Sequence, residues 1–452
     1  MIKRDHFGSR FAVIAAMAGS AVGLGNIWRF PYILGEYGGA AFVLIYIAAS
    51  LLVALPLFFA ESVIGRRSRR DTYGAMQKLA PGTAWKWAGL LTIASPLLIL
   101  SYYSVVGGWS VEFLFKSLAF SFSGNASDAE VSGFFGQFIS STWQPLLSHT
   151  LFMAIVVSIV LGGVSKGIER FSKVAMPLLF VLILFIVVYS LTLPGSSAGV
   201  RYLLKPDFSR LSADAMAAAL GQAFFSLSLG VGTVLTYASY VKKDENLVVS
   251  GVGTAVCDLI FAIIAAFAVM PAVFAAGIAP ESGPGLVFQT LPFIFNKMGQ
   301  GMPVVSALVS ITFFLTILAA ALTSAISMLE VGVAYLVDEK GVSRRRATLL
   351  LGAATWALGV LCSLSFGSLS GVRLFGLSFF DFLDTLCSDW LLPLGGLLFT
   401  VFAGWKMSRA DVQDELTNGG RCNRKVFGLV YFLMRYLAPL GILAVFLTNI
   451  LL

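Results

Sequence analysis

Eleven long apolar runs follow one another along the chain, separated by short polar segments. A helix needs about 20 mostly apolar residues to cross a bilayer. We therefore predict an all-α polytopic membrane protein with eleven transmembrane helices. The predicted spans are residues 10–36, 40–65, 87–118, 147–164, 170–193, 215–240, 247–277, 301–336, 346–366, 376–404 and 426–450.

The composition excludes several other classes of protein. Hydrophobic residues make up 58% of the chain and charged residues 12%, against about 25% charged residues in soluble proteins. The net charge of +8 lies in the short connections, whereas a nucleic-acid-binding protein concentrates its charge on one polar face. Four cysteines without CxxC spacing and two distant histidines argue against a zinc site, a disulfide framework and a Ser-His-Asp triad.

The distribution of lysine and arginine predicts the orientation. The amino terminus and the connections after even-numbered spans hold 23 of the 31, and the connections after odd-numbered spans hold six. Basic residues accumulate on the cytoplasmic side. We therefore expect a plasma-membrane protein with a cytoplasmic amino terminus and an extracellular carboxyl terminus. We interpret the basic clusters as topology signals rather than as sites for particular lipids.

Two predicted spans contain sequences that interrupt a helix. The first carries Gly19–Asn26, followed by Arg29-Phe30-Pro31, and the sixth carries Ser226–Thr233. Unpaired backbone groups in hydrocarbon cost several kcal/mol each, so such breaks survive where they line a cavity. Breaks at matching positions of two five-helix halves indicate a transporter's central site. Close packing through small residues is the alternative, but it leaves the neighbouring serines and asparagine unexplained.

Three segments closely resemble the neurotransmitter:sodium symporter family. They are GSAVGLGNIWRFP at residues 19–31, QAFFSLSLGVGTVLTYASY at 222–240, and Leu322-Thr323-Ser324. The resemblance implies a LeuT-type fold with five-helix inverted repeats at residues 1–193 and 215–404, broken helices one and six, and an eleventh helix at 426–450. The eleven-helix ending resembles the bacterial branch that includes the hydrophobic amino-acid transporters of bacilli.

The same resemblance implies two Na⁺ sites built from oxygen ligands, which suit a hard cation. Site one would use the carbonyl of Ala21, the side chains of Asn26, Ser226 and Asp258, and the carboxylate of the substrate. Site two would use the carbonyls of Gly19, Val22 and Ala320 and the hydroxyls of Thr323 and Ser324.

The resemblance also implies a substrate site at the breaks. The substrate carboxylate would meet the amides of Leu24 and Gly25 and the hydroxyl of Tyr103. Its ammonium would meet the carbonyls of Ala21 and Phe225 and the hydroxyl region of Ser228, and Ser226 also belongs to the substrate set. The substrate side chain would lie among Gly23, Ile99, Tyr103, Phe225, Val231, Ser324 and Met328; from the residues alone, Ile99, Val231 and Met328 would be ordinary core.

Three positions depart from the pattern of the animal members. Gly23 replaces the aspartate of members that carry amines, so the substrate must supply a carboxylate, as an amino acid does. Asp258 replaces an asparagine, and Ala262 replaces a chloride-binding serine. A carboxylate beside Na⁺ would supply the charge of chloride, so we expect independence from chloride. A packed, protonated carboxyl group is the alternative for Asp258, although an unpaired acid in a membrane is costly.

The resemblance further implies two gates. The inner gate would pair Arg4 with Asp338 near Ser239 and Tyr240, and Phe7 would belong to the cytoplasmic closure. The outer gate would pair Arg29 with Asp384, with support from Gln222, although Asp381 could replace Asp384. We also expect Glu61 to accept hydrogen bonds from the broken sixth helix. Gly167 and Pro177 resemble the family's unwinding motif in helix five.

We therefore predict a non-enzymatic, chloride-independent Na⁺ symporter of neutral hydrophobic or aromatic L-amino acids that works by alternating access. A membrane receptor with the same pocket would need a cytoplasmic signalling domain, and the longest polar cytoplasmic stretch, about residues 405–425, is too short for one. A proton-coupled carrier would lack a complete first Na⁺ site. The partners we expect are the amino acid and the bilayer, without nucleic acid; the oligomeric state, the Na⁺ stoichiometry and any proton antiport stay open.

Overall fold

The fold is helical throughout the part of the chain that the structure describes. This computed structural model describes residues 6–124, 127–277, 279, 287–299 and 301–451. The only β pairing found there is an isolated bridge between Leu374 and Leu377. The all-α prediction is confirmed. Arg4, predicted for the inner gate, lies outside the described residues.

Nine described helices are long and apolar enough to cross a membrane, or ten if one bent pair counts as a span. The bent pair is α1 (Arg10–Ala21) and α2 (Gly25–Glu36), which meet at 50°. The others are α3 (Ala40–Ser68), α4 (Trp85–Leu118), α5 (Trp143–Leu161), α6 (Val164–Leu191), α9 (Leu247–Ala275), α10 (Pro303–Asp338), α11 (Arg344–Leu364), α12 (Phe379–Lys406) and α14 (Arg424–Thr448). The spans α4 and α10 are the most buried, so they form the centre of the bundle.

The predicted sixth span consists of two short helices, α7 (Ala213–Ser226) and α8 (Thr233–Ala238). Neither helix is long enough to cross a bilayer alone, so the total of eleven spans stays a prediction. The division of the chain into two five-helix repeats also stays a prediction. Between α7 and α8 the chain turns through left-handed backbone at Ser228 (φ +52°), Gly230 (φ +79°) and Gly232 (φ +70°). Glycine adopts this conformation without steric cost.

Shorter helices lie in the connections. They are Thr72–Leu79, Asp128–Ser140, Ser196–Leu204, a 3₁₀ turn at Phe208–Arg210, Thr290–Gly299 and α13 (Arg409–Thr417). α13 is tied to the end of α3, because the buried Arg66 forms an ion pair with Glu415 at 2.6 Å. Arg66 also donates to the carbonyl of Glu245, in the connection between α8 and α9, at 2.5 Å.

The sixth-span break packs directly on α12. A Cβ atom at Gly395 would lie 1.9 Å from the carbonyl oxygen of Gly230, so only glycine fits there. Gly428 in α14, by contrast, has open space around its Cα.

We expect Gly395→Ala to destabilise the protein by about 1–3 kcal/mol, because overpacking displaces backbone rather than a flexible side chain. Gly428→Ala is the matched control and should be neutral or slightly stabilising, since alanine favours a helix by about 1 kcal/mol. The stability of both variants is measured by thermal unfolding in detergent, with labelling of the buried thiols Cys362 and Cys387 as the readout. Equal melting temperatures for the two variants would show that the Gly230–Gly395 contact does not limit stability.

Candidate functional site

A buried cluster of oxygen-rich side chains joins the two broken spans to α9. The side-chain nitrogen Nδ2 of Asn26 donates to Ser226 Oγ at 3.0 Å and to Asp258 Oδ1 at 2.8 Å. The hydroxyl of Ser226 donates to the same carboxylate at 2.7 Å, and Tyr46 in α3 donates to Asp258 Oδ2 at 3.2 Å. All four residues are buried. The three side chains predicted for the first Na⁺ site are therefore in mutual contact, and Tyr46 was missed.

The residues predicted for the second Na⁺ site lie between the first break and α10. Thr323 Oγ1 donates to the carbonyl of Ala320 at 2.8 Å and approaches that of Val22 at 3.3 Å. A Cβ at Gly19 would lie 3.5 Å from the Cβ of Thr323. Ser324 instead donates to the carbonyl of Ser20 at 3.1 Å. All five predicted residues thus surround one stretch of unwound backbone.

Ser20 holds the two breaks together, a role that the sequence analysis did not assign. Its carbonyl accepts hydrogen bonds from Ser324 and from Ser228, the latter at 2.8 Å. Its hydroxyl donates to Ser327 at 2.7 Å. The signal was a polar side chain directly before the break, but its partners are more than 200 residues away in the chain.

A central cavity lies beside these clusters. It is lined by Ala21, Gly23, Gly25, Ile99, Tyr103, Phe225, Ser228, Val231, Ser324, Met328 and Leu392. Of these, only Leu392 is absent from the predicted substrate set, and no lining side chain is charged. The predicted residues Leu24 and Ser226 lie next to the cavity, where the amide of Leu24 donates to the hydroxyl of Tyr103 at 3.3 Å. Whether these residues contact a substrate stays a prediction.

The cavity measures about 20 Å³. A water molecule needs roughly 10–15 Å³ by this measure, so an amino acid can enter only if lining side chains move. Gly23 is especially confined, because a Cβ there would lie 2.3 Å from Ser324 Oγ and 3.0 Å from the hydroxyl of Tyr103.

Glu61 binds the sixth-span break from α3. Its carboxylate accepts from the amide of Gly230 at 2.7 Å and from the amide of Leu235 at 3.3 Å. The side chain is fully buried, and these amides have no helical partner because the helix is interrupted. The predicted hydrogen bonds from the broken helix to Glu61 are therefore confirmed.

A second, larger cavity of about 500 Å³ lies on the α2 side of the central one, and we call it the vestibule. Four charged side chains line it: Arg29, Glu36, Asp214 and Asp389. Phe225 and Leu392 line both cavities, so these two side chains separate them.

The predicted outer-gate residues are close together without being paired. The guanidinium of Arg29 lies 4.6 Å from the ring centroid of Phe225. It interacts first with Tyr32, through a hydrogen bond, and less strongly with Asp384. Within the described residues, however, no ion pair between Arg29 and Asp384 is found under 4.0 Å. Asp381 instead accepts from Ser378 Oγ at 2.6 Å at the start of α12. Gln222 donates to the carbonyl of Gly25 at 2.8 Å.

The predicted inner gate contains two residues that the sequence analysis missed. Tyr240 donates to the buried Glu330 at 2.8 Å, and Arg344 forms an ion pair with the same carboxylate at 2.5 Å. The interpretation of Arg344 as a topology signal alone was therefore incomplete. The role of Glu330 could not be read from the sequence because its partners come from the turn after α8 and from α11.

The remaining inner-gate residues lie nearby. The amide of Phe7 donates to the carbonyl of Tyr240 at 3.3 Å, and its ring lies 5.8 Å from that of Tyr237. Ser239 donates to the carbonyl of Thr236 at 2.5 Å. Asp338 accepts from the amide of Asp71 at 3.2 Å.

The predicted unwinding motif lies at the start of α6. Residues Val164–Glu169, which include Gly167, form a π-helical turn, and the helix continues through Pro177. A Cβ at Gly167 would lie 2.1 Å from the carbonyl of Ile159, so this turn is closely packed against α5.

Comparisons with known proteins agree with this architecture. A solved structure, described as MhsT in complex with L-phenylalanine, matches 99% of this chain and 100% of its own with a TM-score of 0.91 and 44% identity. The uncharacterized sodium-dependent transporter YhdH of Bacillus subtilis is 40% identical over 99% of this chain and 98% of its own length. An uncharacterized sodium-dependent transporter of Haemophilus influenzae is 33% identical over 99% and 98%.

The sequence model of the sodium:neurotransmitter symporter family matches residues 4–132 and 135–452. The similarity to MhsT also confirms the LeuT-type fold. The chain is therefore a multi-pass, sodium-dependent secondary transporter rather than an enzyme, and it belongs to the sodium:neurotransmitter symporter family.

Proposed function

We propose that this symporter carries neutral hydrophobic and aromatic L-amino acids together with Na⁺, without a requirement for chloride. The observation that carries the proposal is an uncharged central cavity next to the buried Asn26–Ser226–Asp258 cluster. An acidic or basic substrate side chain would be buried without a counter-charge, which is heavily penalised. The solved structure of the 44% identical MhsT holds L-phenylalanine, which supports this class of substrate.

We assign two Na⁺ positions, with Na⁺ as the co-substrate. At the first, the oxygens of Ser226 and Asp258 already meet. The side-chain amide of Asn26 lies beside them, with its nitrogen toward both and its Oδ1 accepting from the amide of Gly23 at 3.1 Å. At the second, the carbonyls of the first break meet Thr323 and Ser324. Both donor sets consist of oxygen alone, which suits a hard cation. The Asp258 carboxylate supplies a fixed negative charge beside the first Na⁺, and this removes the need for chloride.

The substrate backbone would occupy the gap between the two breaks. The amides at Leu24 and Gly25 begin α2, and the amino-terminal end of a helix favours an anion. The α-carboxylate would therefore bind there and complete the first Na⁺ site, with the hydroxyl of Tyr103 as a further partner. The ammonium group would bind near the carbonyls of Ala21 and Phe225 and near Ser228.

Transport would proceed by alternating access between the vestibule and the opposite, cytoplasmic side. Entry requires Phe225 and Leu392 to move, because they separate the vestibule from the central cavity. Release requires the Tyr240–Glu330–Arg344 contacts to open, and the predicted pair of Arg4 and Asp338 would have to separate as well. Each charge that moves inward yields about 2.3 kcal/mol per 100 mV, which can drive concentrative uptake with the amino terminus in the cytoplasm.

Removing the carboxylate of Asp258 should abolish normal Na⁺ coupling. We expect Asp258→Ala to raise the half-saturating Na⁺ concentration by about tenfold or more, equivalent to 1.4 kcal/mol, or to create a requirement for chloride. Glu112→Gln, which removes a half-buried carboxylate of α4 outside the cluster, is the control. Uptake into proteoliposomes over a range of Na⁺ and chloride concentrations measures this. Unchanged Na⁺ dependence in Asp258→Ala, or strong chloride stimulation of the native protein, would contradict the assignment.

Val231 should set the volume available to the substrate side chain. We expect Val231→Phe to exclude tryptophan and phenylalanine first and leucine last, because the added ring occupies the cavity. The measurement is uptake of a panel of labelled amino acids by the variant, in which leucine serves as the internal control. One buried methylene is worth about 0.8 kcal/mol, so discrimination among aliphatic substrates should be modest. Native preference for glutamate, lysine or glycine over leucine and tryptophan would refute the proposed substrate class.

The two candidate acids of the outer gate can be separated by matched variants. Asp384→Asn removes the charge that attracts Arg29, whereas Asp381→Asn alters an interaction with Ser378 at a helix start. We expect only Asp384→Asn to increase labelling of Met328→Cys by an external, impermeant thiol reagent in a background without the native cysteines. If the closed outer gate loses about 1 kcal/mol of stability relative to the open one, labelling should rise about fivefold. The opposite pattern would assign the gate to Asp381.

A further inference from the structure

Arg435 is a charged residue within an apolar span, and aromatic rings surround it. Its guanidinium carbon lies 4.5 Å from the ring centroid of Trp405, 5.5 Å from that of Tyr436 and 5.9 Å from that of Tyr431. We call these four residues the Arg435 cluster. The proposed transport mechanism uses none of them.

The backbone is built to bring the members of this cluster together. Residues Phe402–Lys406 of α12 and Leu433–Leu437 of α14 both form π-helical turns, which occur frequently at functional sites. Gly404 allows the close approach, since a Cβ there would lie 3.0 Å from the Cα of Arg435. Trp405 Nε1 donates to the carbonyl of Arg435 at 3.1 Å, and Tyr431 donates to that of Gly404 at 3.2 Å.

The positive charge of Arg435 has no counter-ion in the part of the chain that the structure describes. No described carboxylate lies within 4.0 Å of it. Its Nη1 donates only to the hydroxyl of Tyr431 at 3.3 Å, and its buried Nε has no hydrogen-bond acceptor. Charged groups in membrane proteins are normally paired because desolvation is costly. A guanidinium left in this condition has donors available for an external anion.

Two further cations lie near the cluster. Lys406 directly follows Trp405 and is exposed, and Arg409 lies 5.5 Å from the ring centroid of Tyr431, on which Arg435 also lies. Neither forms an ion pair under 4.0 Å with a described carboxylate. Arg435 and Arg409 therefore lie over one tyrosine and Lys406 follows Trp405 directly, and none of the three has a carboxylate partner among the described residues.

The cluster has exposed side chains on the outer surface of the helix bundle. The side chains of Trp405, Tyr436 and the adjacent Phe432 are 57%, 42% and 55% exposed, which in a membrane protein means contact with lipid. Tryptophan and tyrosine accumulate at headgroup level. Immediately after this level the chain forms α13, which Arg67 binds through Asp414 at 2.7 Å, so the cluster lies at the end of the molecule that we propose to be cytoplasmic.

From these observations we infer that the Arg435 cluster is a binding site for the phosphate of an anionic phospholipid between α12 and α14. The phosphate would accept hydrogen bonds from the guanidinium, which suits phosphate geometry. Lys406 and Arg409 would add attraction, while the acyl chains would lie along the exposed aromatic and aliphatic side chains. The site is separate from the substrate and Na⁺ sites, so it does not depend on the identity of the amino acid.

Native mass spectrometry of the full-length protein with phosphatidylglycerol and phosphatidylcholine of identical acyl chains tests this inference. The native protein should retain phosphatidylglycerol about fivefold better, since one basic residue near a membrane surface contributes about 1 kcal/mol. Arg435→Gln should lose most of this preference. Lys86→Gln is the matched control, because Lys86 also lies over an aromatic ring, that of Trp87, at 5.5 Å but outside the cluster.

Equal retention of the two lipids by the native protein, or an unchanged preference in Arg435→Gln, would overturn the site. Displacement of the lipid by an excess of soluble glycerol phosphate would show a site for free phosphate instead. If Arg435→Gln fails to fold, Arg435→Lys keeps the charge but loses the planar stacking, and a purely structural role would lower its melting temperature equally in both lipids.

Discussion

Interrupted helices inside a membrane require a partner for every freed backbone group, and the hydrogen bonds that satisfy this requirement organise the molecule. At the sixth-span break, Glu61 accepts from the amides of Gly230 and Leu235. At the first break, the carbonyl of Ser20 accepts from Ser228 and Ser324. Each unpaired group would cost several kcal/mol in hydrocarbon. The breaks are therefore held by α3 and α10, and the central cavity lies between the two broken backbones.

The two sides of the central cavity are closed by different kinds of contact. Toward the vestibule, the closing contacts are apolar and aromatic, with Arg29 over the ring of Phe225 and Leu392 beside it. On the opposite side, a fully buried carboxylate, Glu330, bonds Tyr240 and Arg344 at once. Breaking a buried ion pair leaves an uncompensated charge, whereas moving an aromatic ring does not. Opening toward the cytoplasmic side should therefore require water to reach and solvate the charges of Glu330 and Arg344. Opening toward the vestibule should require only that the ring of Phe225 moves.

The sequence could predict those features that are local in the chain, and it missed those that depend on distant pairing. Helix breaks follow from glycine and polar residues in apolar runs, and the resemblance then assigned Asn26, Ser226 and Asp258, which the structure brings together. Tyr46, Leu392 and Glu330 were missed because each meets its partners through packing of separate helices. Arg344 was interpreted as topology because exposed and buried arginines look alike in a basic cluster.

The position of Gly23 links helix packing to the choice of substrate. A Cβ there would lie 2.3 Å from Ser324 Oγ and 3.0 Å from the hydroxyl of Tyr103, and both neighbours are themselves engaged, one with Ser20 and the other with Leu24. A side chain carboxylate at this position would have to displace two hydrogen bonds that support the first break. The negative charge beside the proposed first Na⁺ must then come from Asp258 and from the substrate itself. An amine without a carboxylate would leave that Na⁺ one ligand short, so selection for amino acids would arise from the Na⁺ site as much as from the cavity walls.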